Sequence, residues 1–320
     1  MKRLALLVAV LSMVAGHVSA QSFPERNITL VNPYAAGGPA DLLARTVADG
    51  MSETLGRPVV VENRPGAGTA IGARAVAQAN PDGYTLFLGG TPSHVITPAL
   101  MKDANYDGIK DFTPITTVAN VPNMLVVPPG RPYKSVKDLV DAAKDANGRM
   151  TFASIGVGSI PQFLGVLFQL RAGVTLVDVP YKGAAPASVD LLGGRVDMAF
   201  LNVPAVLPQV QSGQLRGLAV ADAKRAKALP DTPTMAESGY PSVAMSTWYG
   251  ISAPAKTPRD VVNRLHAAIA QTLNSPKARE KIEAQGAEVF VKNPDDYAAY
   301  LQADAKLMLE LIKAAQMTAN

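Results

Sequence analysis

Residues 27–41 read NITLVNPYAAGGPAD, and residues 150–161 repeat the same order of features as MTFASIGVGSIP. Each stretch starts as a short apolar run, typical of a buried strand, and passes through glycines into a segment with helical spacing. We name the glycine segments loop one (33–41) and loop two (154–161). A strand, a glycine loop and a helix in each half of the chain predict an α/β fold with two similar halves.

Short apolar runs alternate with helical stretches through the rest of the chain, the pattern of βαβ units on a mainly parallel sheet. Further strands are predicted at 58–62, 84–89, 124–127, 175–179, 196–201 and 215–220, and helices at 40–51, 70–79 and 135–146. The last third is predicted to be helical. There Thr257, Ser275 and Asn293 each precede a proline and are expected to be N-caps, Thr257 within a capping-box spacing that ends at Asp260.

Composition narrows the class of protein. With 48% hydrophobic and 18% charged residues over 320 positions, the chain can bury a large core and is unlike a disordered chain. It has no cysteine, which excludes disulfides, thiolate metal ligands, cysteine nucleophiles and a lipid on an N-terminal cysteine. A net charge of +4, scattered along the chain, argues against nucleic acid as a partner.

The first 20 residues, MKRLALLVAVLSMVAGHVSA, have the pattern of a secretory signal peptide. Lys2 and Arg3 form the basic start, residues 4–16 form an apolar stretch, and residues 18–20 form an A-x-A-like cleavage site. The apolar stretch is shorter than the roughly 20 residues needed to span a bilayer. We therefore expect cleavage after Ala20 and export of the mature protein to the periplasm.

Both loops have the chemistry of an anion site. The first turn of a helix leaves backbone N–H groups without partners and carries partial positive charge from the helix dipole. Glycines let that backbone approach a ligand without an intervening Cβ atom. Loops one and two are therefore predicted to hold a carboxylate or a phosphate from two sides through amides, without an Arg or Lys.

Each loop also has an interpretation without a ligand, in which Asp41 and Ser159 cap the helices that follow. The Asp41 carboxylate would then compete with a bound anion for the same amides. A dinucleotide turn at 66–72 fits poorly, because its glycines follow Asn-Arg-Pro instead of running straight into a helix. Catalysis is poorly supported, because beyond residue 20 the histidines are His94 and His266 and neither belongs to a known catalytic motif. His94 is expected to pack near the end of a strand.

Six ordered blocks of the chain resemble one known family. They are NPYAAGGPAD (32–41), VVVENRPGAGTAIGA (59–73), NPDGYTL (80–86), FASIGVGS (152–159), VPYKGAAPASVDLLGGRVDMAF (179–200) and STWYGISAPAKTP (246–258). The family is the solute-binding component of tripartite tricarboxylate transporters, often called the Bug family. The resemblance runs from about Phe23 to the C-terminus.

The resemblance implies a two-lobe periplasmic binding protein of the second type, with α/β lobes that close on a ligand in the cleft between them. Lobe one is expected at 21–121 plus 248–320, and lobe two at 122–247. The implied ligand is a small carboxylate: a dicarboxylate, a tricarboxylate, an acidic amino acid or an aromatic acid. The implied partners are membrane permease subunits. We expect a monomer that has no metal, no cofactor and no enzymatic activity.

The resemblance also implies which residues contact the ligand. In lobe one these are Tyr34 as a wall, the amides of Ala35, Ala36, Gly37 and Gly38, and the hydroxyls of Thr91 and Ser93. In lobe two they are Ser154, Gly158, Ser159, Tyr181, Gly183, Ala184 and Asn202. Family members often have Asp or Asn near the ligand at the position of Asn202. Tyr181 and Trp248 have core packing as an equal alternative, and Lys182 is expected to be a solvated charge.

Two other functions stay open at this point. The loaded protein could dock onto a sensor kinase instead of a permease, and the residues alone do not separate these two partners. An enzyme on the same scaffold is the second alternative, and it would need a polar pair in which His94 is the only candidate base.

Overall fold

Two β-sheets organise the protein, whose computed structural model describes residues 23–156 and 158–314; the predicted signal peptide, 1–20, lies outside them. Sheet one contains β1 (Ile28–Asn32), β2 (Val59–Asn63), β3 (Thr85–Gly89), β4 (Phe112–Val121), β10 (Thr247–Pro254) and β11 (Glu288–Val289). Sheet two contains β5 (Asn123–Val127), β6 (Thr151–Ser154), β7 (Val177–Pro180), β8 (Met198–Asn202) and β9 (Arg216–Val220). We call the parts built on these sheets lobe one and lobe two.

The sheets are mixed in strand direction. The strand order is β11-β4-β10-β3-β1-β2 in sheet one and β7-β6-β8-β5-β9 in sheet two. β1 is parallel to β2 and β3, and β6 is parallel to β7 and β8, but the pairings of β4, β5, β10 and β11 are antiparallel. The expectation of a mainly parallel sheet is therefore wrong. Parallel neighbours need a crossover, whereas β4 passes directly into β5 at Pro122 to change lobes.

Helices pack on both sheets. Those of lobe one are α1 (Pro39–Leu55), α2 (Ala70–Ala77), α3 (Thr97–Leu100), α8 (Arg259–Asn274), α9 (Pro276–Glu283) and α10 (Pro294–Ala314). Those of lobe two are α4 (Val136–Asp145), α5 (Ile160–Ala172), α6 (Ala184–Leu192) and α7 (Val203–Gln211). A π-helical turn, Pro92–Ile96, precedes α3. Within the described ranges, no helix combines the length and the apolar character needed to cross a membrane.

The helix α1 is longer than predicted at both ends. It begins at Pro39, because proline has a suitable φ and lacks the N–H that would be unpaired at the first helical position. Gly56 ends the helix in the left-handed conformation, with φ +66°, which glycine adopts without a Cβ penalty. The first turn of α1 therefore includes the last residues of loop one.

Two of the three predicted N-caps are confirmed. The side chains of Ser275 and Asn293 accept hydrogen bonds from amides three residues further on. The prediction for Thr257 is wrong. Its hydroxyl donates back to the Pro254 carbonyl over 2.8 Å, and α8 begins two residues later, at Arg259, without a side-chain cap.

The apolar cores connect helices to sheets and one lobe to the other. In lobe one, Leu30 of β1 and Ile269 of α8 belong to one buried cluster. In lobe two, Phe152 of β6 and Leu164 of α5 belong to a second cluster, and Ile96 of lobe one is part of it. Apolar packing therefore continues across the lobes and brings the segment after β3 to the lobe containing α5.

Candidate functional site

Loop one lies between the last residue of β1 and the first turn of α1. Ala35, Ala36 and Gly37 are exposed, and Gly37 has a left-handed backbone, φ +82°, that favours glycine. The Gly37 amide donates to Asp41 Oδ2 over 3.0 Å. The Asp41 carboxylate thus accepts a hydrogen bond from an amide of loop one, as the interpretation without a ligand anticipates. Contact of the Gly37 amide with a ligand stays a prediction.

Loop two repeats this arrangement in the other lobe. Gly158 is also left-handed, with φ +78°, and its amide donates to Gln162 Oε1 over 2.8 Å. As in loop one, the acceptor belongs to the residue four positions after the glycine. Ser159 is the N-cap of α5, and its hydroxyl donates to the Gly156 carbonyl over 2.7 Å. In each lobe, therefore, a helix N-terminus follows a glycine whose amide donates to a side chain in the first turn of that helix.

Asp41 organises loop one as a buried carboxylate. Arg45 Nε and Asn63 Nδ2 each donate to it over 3.0 Å, in addition to the Gly37 amide. Burial would raise the pKa of Asp41, but these hydrogen bonds and the Arg45 charge hold the pKa below its usual value. Asn63 also donates to the Tyr34 carbonyl over 3.1 Å, so that both ends of loop one are tied to β2.

Tyr34 and Ser154 present polar atoms without partners. Tyr34 is half-buried against Tyr249, with ring centroids 5.8 Å apart. The Tyr34 hydroxyl is buried and has no hydrogen-bond partner. The Ser154 hydroxyl, at the end of β6, is likewise buried and unpartnered. Because buried polar groups are almost always hydrogen-bonded, these two hydroxyls beside the loops are candidates for a bond to a ligand or to water.

The hydroxyls predicted after β3 have partners within the protein. Thr91 Oγ1 donates to Asp304 Oδ2 over 2.8 Å, and Asp304 Oδ2 also accepts from Trp248 Nε1 over 3.1 Å. Ser93 Oγ bonds to both the amide and the carbonyl of Gly90. Trp248 is 1% exposed, in agreement with its packing alternative. Contact of Thr91 and Ser93 with a ligand stays a prediction.

Tyr181, Gly183 and Ala184 lie where β7 leads into α6. Tyr181 is half-buried, and its hydroxyl donates to Asp190 Oδ2 over 2.8 Å. Gly183 is the N-cap of α6 and Ala184 its first residue. Lys182 is exposed, as expected for a solvated charge. The segment therefore adds another helix N-terminus beside the end of β6.

Asn202 lies at the junction of the lobes. Its Nδ2 donates to Asn123 Oδ1 and to Thr247 Oγ1, each over 3.0 Å. Asn123 begins β5 and Thr247 begins β10, and these are the places where the chain changes lobes. The Asn202 side chain therefore joins the two connecting strands, and its predicted contact with the ligand stays a prediction.

Contacts between the lobes occur beside both loops. A Cβ atom at Gly158 would lie 3.0 Å from Ile96 Cγ2, so the backbone of loop two closely approaches lobe one. Pro39, in loop one at the start of α1, and Pro204, in the first turn of α7, line one small cavity. Loops one and two therefore both lie at the surface where the lobes meet.

His94 is a core residue, as predicted. Its Nδ1 donates to the Gly108 carbonyl over 2.6 Å, and its ring contacts Phe87, Phe112 and Trp248. The residue is 1% exposed. Burial lowers its pKa to about 4, against the opposing effect of the hydrogen bond to Gly108, so the imidazole is neutral at neutral pH.

The buried neutral His94 predicts a pH dependence of stability. The unfolded chain protonates this histidine below about pH 6.5, whereas the folded protein does so only near pH 4, so acidification across this window favours unfolding. Between pH 7 and 4.5, the free energy of unfolding should fall by about 2 kcal/mol less in His94→Gln than in the wild type. Urea unfolding at both pH values measures this difference. An equal fall in the two proteins would contradict the buried, neutral state.

Three residues that organise the loops were missed by the sequence analysis: Asn32, Asn63 and Gln162. Gln162 had a usable signal, since it follows Gly158 by the same four positions that separate Asp41 from Gly37. Asn32 and Asn63 had none, because each reads as an ordinary strand end. Their pairing across β1 and β2 appears only in the folded sheet.

Comparisons with known proteins agree with this geometry. A family model described as "Tripartite tricarboxylate transporter family receptor" matches residues 43–317. Protein BugT of Bordetella pertussis is 38% identical over 289 residues, which cover 90% of this chain and 89% of BugT. The solved structure of Rhodopseudomonas palustris Rpa4515 with adipate is 35% identical, with a TM-score of 0.87 over 92% of this chain and 99% of that one. MatC of the same organism, solved with bound malate, is 30% identical, with a TM-score of 0.83 over 91% and 100%.

These matches extend over nearly the whole chain and include both lobes. They confirm the family resemblance on which the sequence analysis relied, and they confirm the fold of a two-lobe periplasmic binding protein. The two-lobe α/β fold described above is thus a known receptor architecture. The chain belongs to the tripartite tricarboxylate transporter receptor family, whose members are periplasmic solute-binding proteins.

Proposed function

We propose that this protein captures a small carboxylated organic solute between its lobes and presents it to the subunits of a membrane permease. The observation that carries this proposal is the matched pair of loops, each in front of a helix N-terminus and both at the meeting surface of the lobes. Relatives solved with adipate and malate support a carboxylate as the ligand. The family to which the chain belongs supports a permease as the partner.

The ligand contacts that we propose are those predicted from the sequence, in both lobes. Tyr34 and Ser154 have the strongest support, because their hydroxyls are buried without partners. Thr91 and Ser159 have weaker support, because their hydroxyls already donate to Asp304 and Gly156. Gly37 and Gly158 are proposed to shape the loops, since their amides are engaged by side chains of the following helices.

We propose that the solute leaves chemically unchanged. His94, the candidate base identified in the sequence, is buried among aromatic rings and bonded to a backbone carbonyl, which supports a structural role. In the described part of the chain, no three or more potential metal ligands come together. Recovery of the intact acid by NMR after overnight incubation is the expected result, and a new product would overturn this part of the proposal.

We propose the lobe boundaries, the processing and the oligomeric state on separate grounds. Lobe one at 21–121 plus 248–320, and lobe two at 122–247, are supported by the end of β4 at Val121 and the start of β10 at Thr247. Cleavage after Ala20 and release into the periplasm are supported by the signal-peptide pattern and the family. A monomer is supported because both loops come from one chain. N-terminal sequencing of exported protein should therefore begin at Gln21.

Binding of an acid but not of its ester tests the proposed function. Calorimetric titration with succinate, malate, adipate, citrate, glutamate and benzoate should reveal at least one ligand. The methyl ester of that ligand should bind about 30-fold more weakly or worse, because hydrogen bonds to a charged group are stronger than those to a neutral one. Equal affinity for acid and ester, or no binding of any acid, would overturn the proposal.

A further inference from the structure

The strand that leads into each glycine loop ends at a buried polar residue. Asn32 ends β1 and Ser154 ends β6, and both are fully buried. Asn32 Nδ2 and Ser154 Oγ have no hydrogen-bond partner within the protein. A buried donor without a partner is unfavourable. Two of them, each at the last residue of the strand that leads into a glycine loop, are placed where an acceptor from a bound solute would satisfy them.

The Asn32 amide has one defined orientation. Its Oδ1 accepts a hydrogen bond from the Tyr34 amide over 3.3 Å. Because a backbone amide can only donate, the side-chain oxygen must face Tyr34, which settles the assignment of oxygen and nitrogen. The Nδ2 group is therefore on the other side, where it offers two N–H donors and no acceptor.

Several other polar groups predicted around the loops, unlike the Tyr34 hydroxyl, are already engaged. The amides of Gly37 and Gly158 donate to side chains of the following helices, and the hydroxyls of Thr91 and Ser159 donate within their own lobes. Forming new bonds from these groups requires breaking existing ones. The strand-end residues need no such exchange, so they gain most from a ligand.

We propose that Asn32 determines ligand specificity on the side of lobe one, opposite the contact already proposed for Ser154, and that Asn32 Nδ2 donates to an oxygen atom of the bound solute. This inference rests on the proposed function and adds to it the chemistry of one ligand group. Because Nδ2 only donates, it favours a carboxylate or carbonyl oxygen of the ligand, which accepts, and disfavours an ammonium group at the same place. The solute therefore carries an oxygen acceptor, and no amino group, at the end that meets Asn32.

The substitution Asn32→Asp tests this polarity directly. The aspartate keeps the shape and still accepts from the Tyr34 amide, but it presents a carboxylate oxygen in place of the N–H donors. Calorimetric titration with malate, adipate and the monoamide of each is the measurement. Affinity for the diacid should fall about 100-fold or more, and the ratio of diacid to monoamide affinity should fall about tenfold, because an amide group can donate to aspartate. General damage to the fold would weaken both ligands equally.

Three further variants complete the test. Ser154→Ala should weaken diacid binding about tenfold through the loss of one hydrogen bond. Thr46→Val is the matched control, since Thr46 in α1 also has a buried, unpartnered hydroxyl but lies away from the strand ends; it should leave affinity within twofold. Asn32→Leu removes the donors without adding a charge; because it also removes the acceptor of the Tyr34 amide, it should lower the thermal unfolding midpoint by a few degrees at most while losing diacid binding.

The outcomes separate this inference from the function on which it rests. If the wild type binds malate or adipate and the Asn32 variants or Ser154→Ala bind it equally well, the assignment of these residues is overturned and the proposed function stands. An unchanged ratio of diacid to monoamide affinity in Asn32→Asp also overturns it. If the wild type binds neither these acids nor the others in the panel, the proposed function is overturned and this inference with it.

Discussion

Gly158→Val is expected to abolish measurable binding of the carboxylate ligand, a loss of about 100-fold or more, while both lobes remain folded. A valine is strained at φ +78°, and its Cβ atom would lie 3.0 Å from Ile96 Cγ2 in the opposite lobe. Two methyl groups beyond that Cβ would push loop two away from lobe one. Because the ligand is proposed to bind between the lobes, separation at this contact removes one side of the site. Calorimetric titration, with circular dichroism as the check on folding, measures the effect.

A matched variant in the same loop separates backbone strain from the contact between lobes. Gly156 also has a positive φ, +107°, but a Cβ atom there meets only the Tyr181 carbonyl, at 3.8 Å. Gly156→Val should therefore bind more tightly than Gly158→Val. Adding Ile96→Ala to Gly158→Val should restore part of the affinity by making room. If both glycine variants bind like the wild type, the two lobes do not need this close approach for binding.

The duplicated design was visible in the sequence because it depends on local rules. The glycines before each helix and Asp41 in the first turn of α1 were identified from the sequence, whereas Gln162, which accepts the Gly158 amide at the same spacing, was missed. The strands before the loops were equally recognisable as short apolar runs. Local rules therefore sufficed for each strand, loop and helix of the repeated unit.

The direction of the strands and the hydrogen-bond partners of buried polar side chains could not be predicted from the sequence, because they depend on residues far apart in the chain. β4 and β10 pair with each other antiparallel along almost their whole length, although their residues are more than a hundred positions apart. The N-cap error at Thr257 is local: the hydroxyls of Thr257 and Ser275 both donate to the carbonyl three residues back, but only Ser275 also accepts from an amide of the helix that follows. Asn32 likewise gains significance only once its neighbours are known.

The substitution Asp41→Ala should cost about 3 kcal/mol of unfolding free energy at pH 7 and should loosen loop one. It removes the charged acceptor of the Gly37 amide and of one donor of Asn63, and a hydrogen bond to a charged group contributes roughly 1.5–3 kcal/mol. The lost pair with Arg45 adds little, because Arg45 is 53% exposed. Urea unfolding of both proteins measures the difference, and a loss below about 1 kcal/mol would contradict the proposed role of Asp41.

The pH dependence of that difference identifies the charge as its source. The folded pKa of Asp41 is below its unfolded value of about 3.9, so the carboxylate contributes its full stability above that pH and loses it as the pH falls through the folded pKa. The difference between wild type and Asp41→Ala should therefore be constant from pH 7 to 5 and shrink below about pH 4. Gln162→Ala, at the corresponding position of loop two, removes an uncharged acceptor, so its destabilisation should change less with pH. A difference for Asp41→Ala that stays constant down to pH 3 would mean that the side chain acts by its shape and not by its charge.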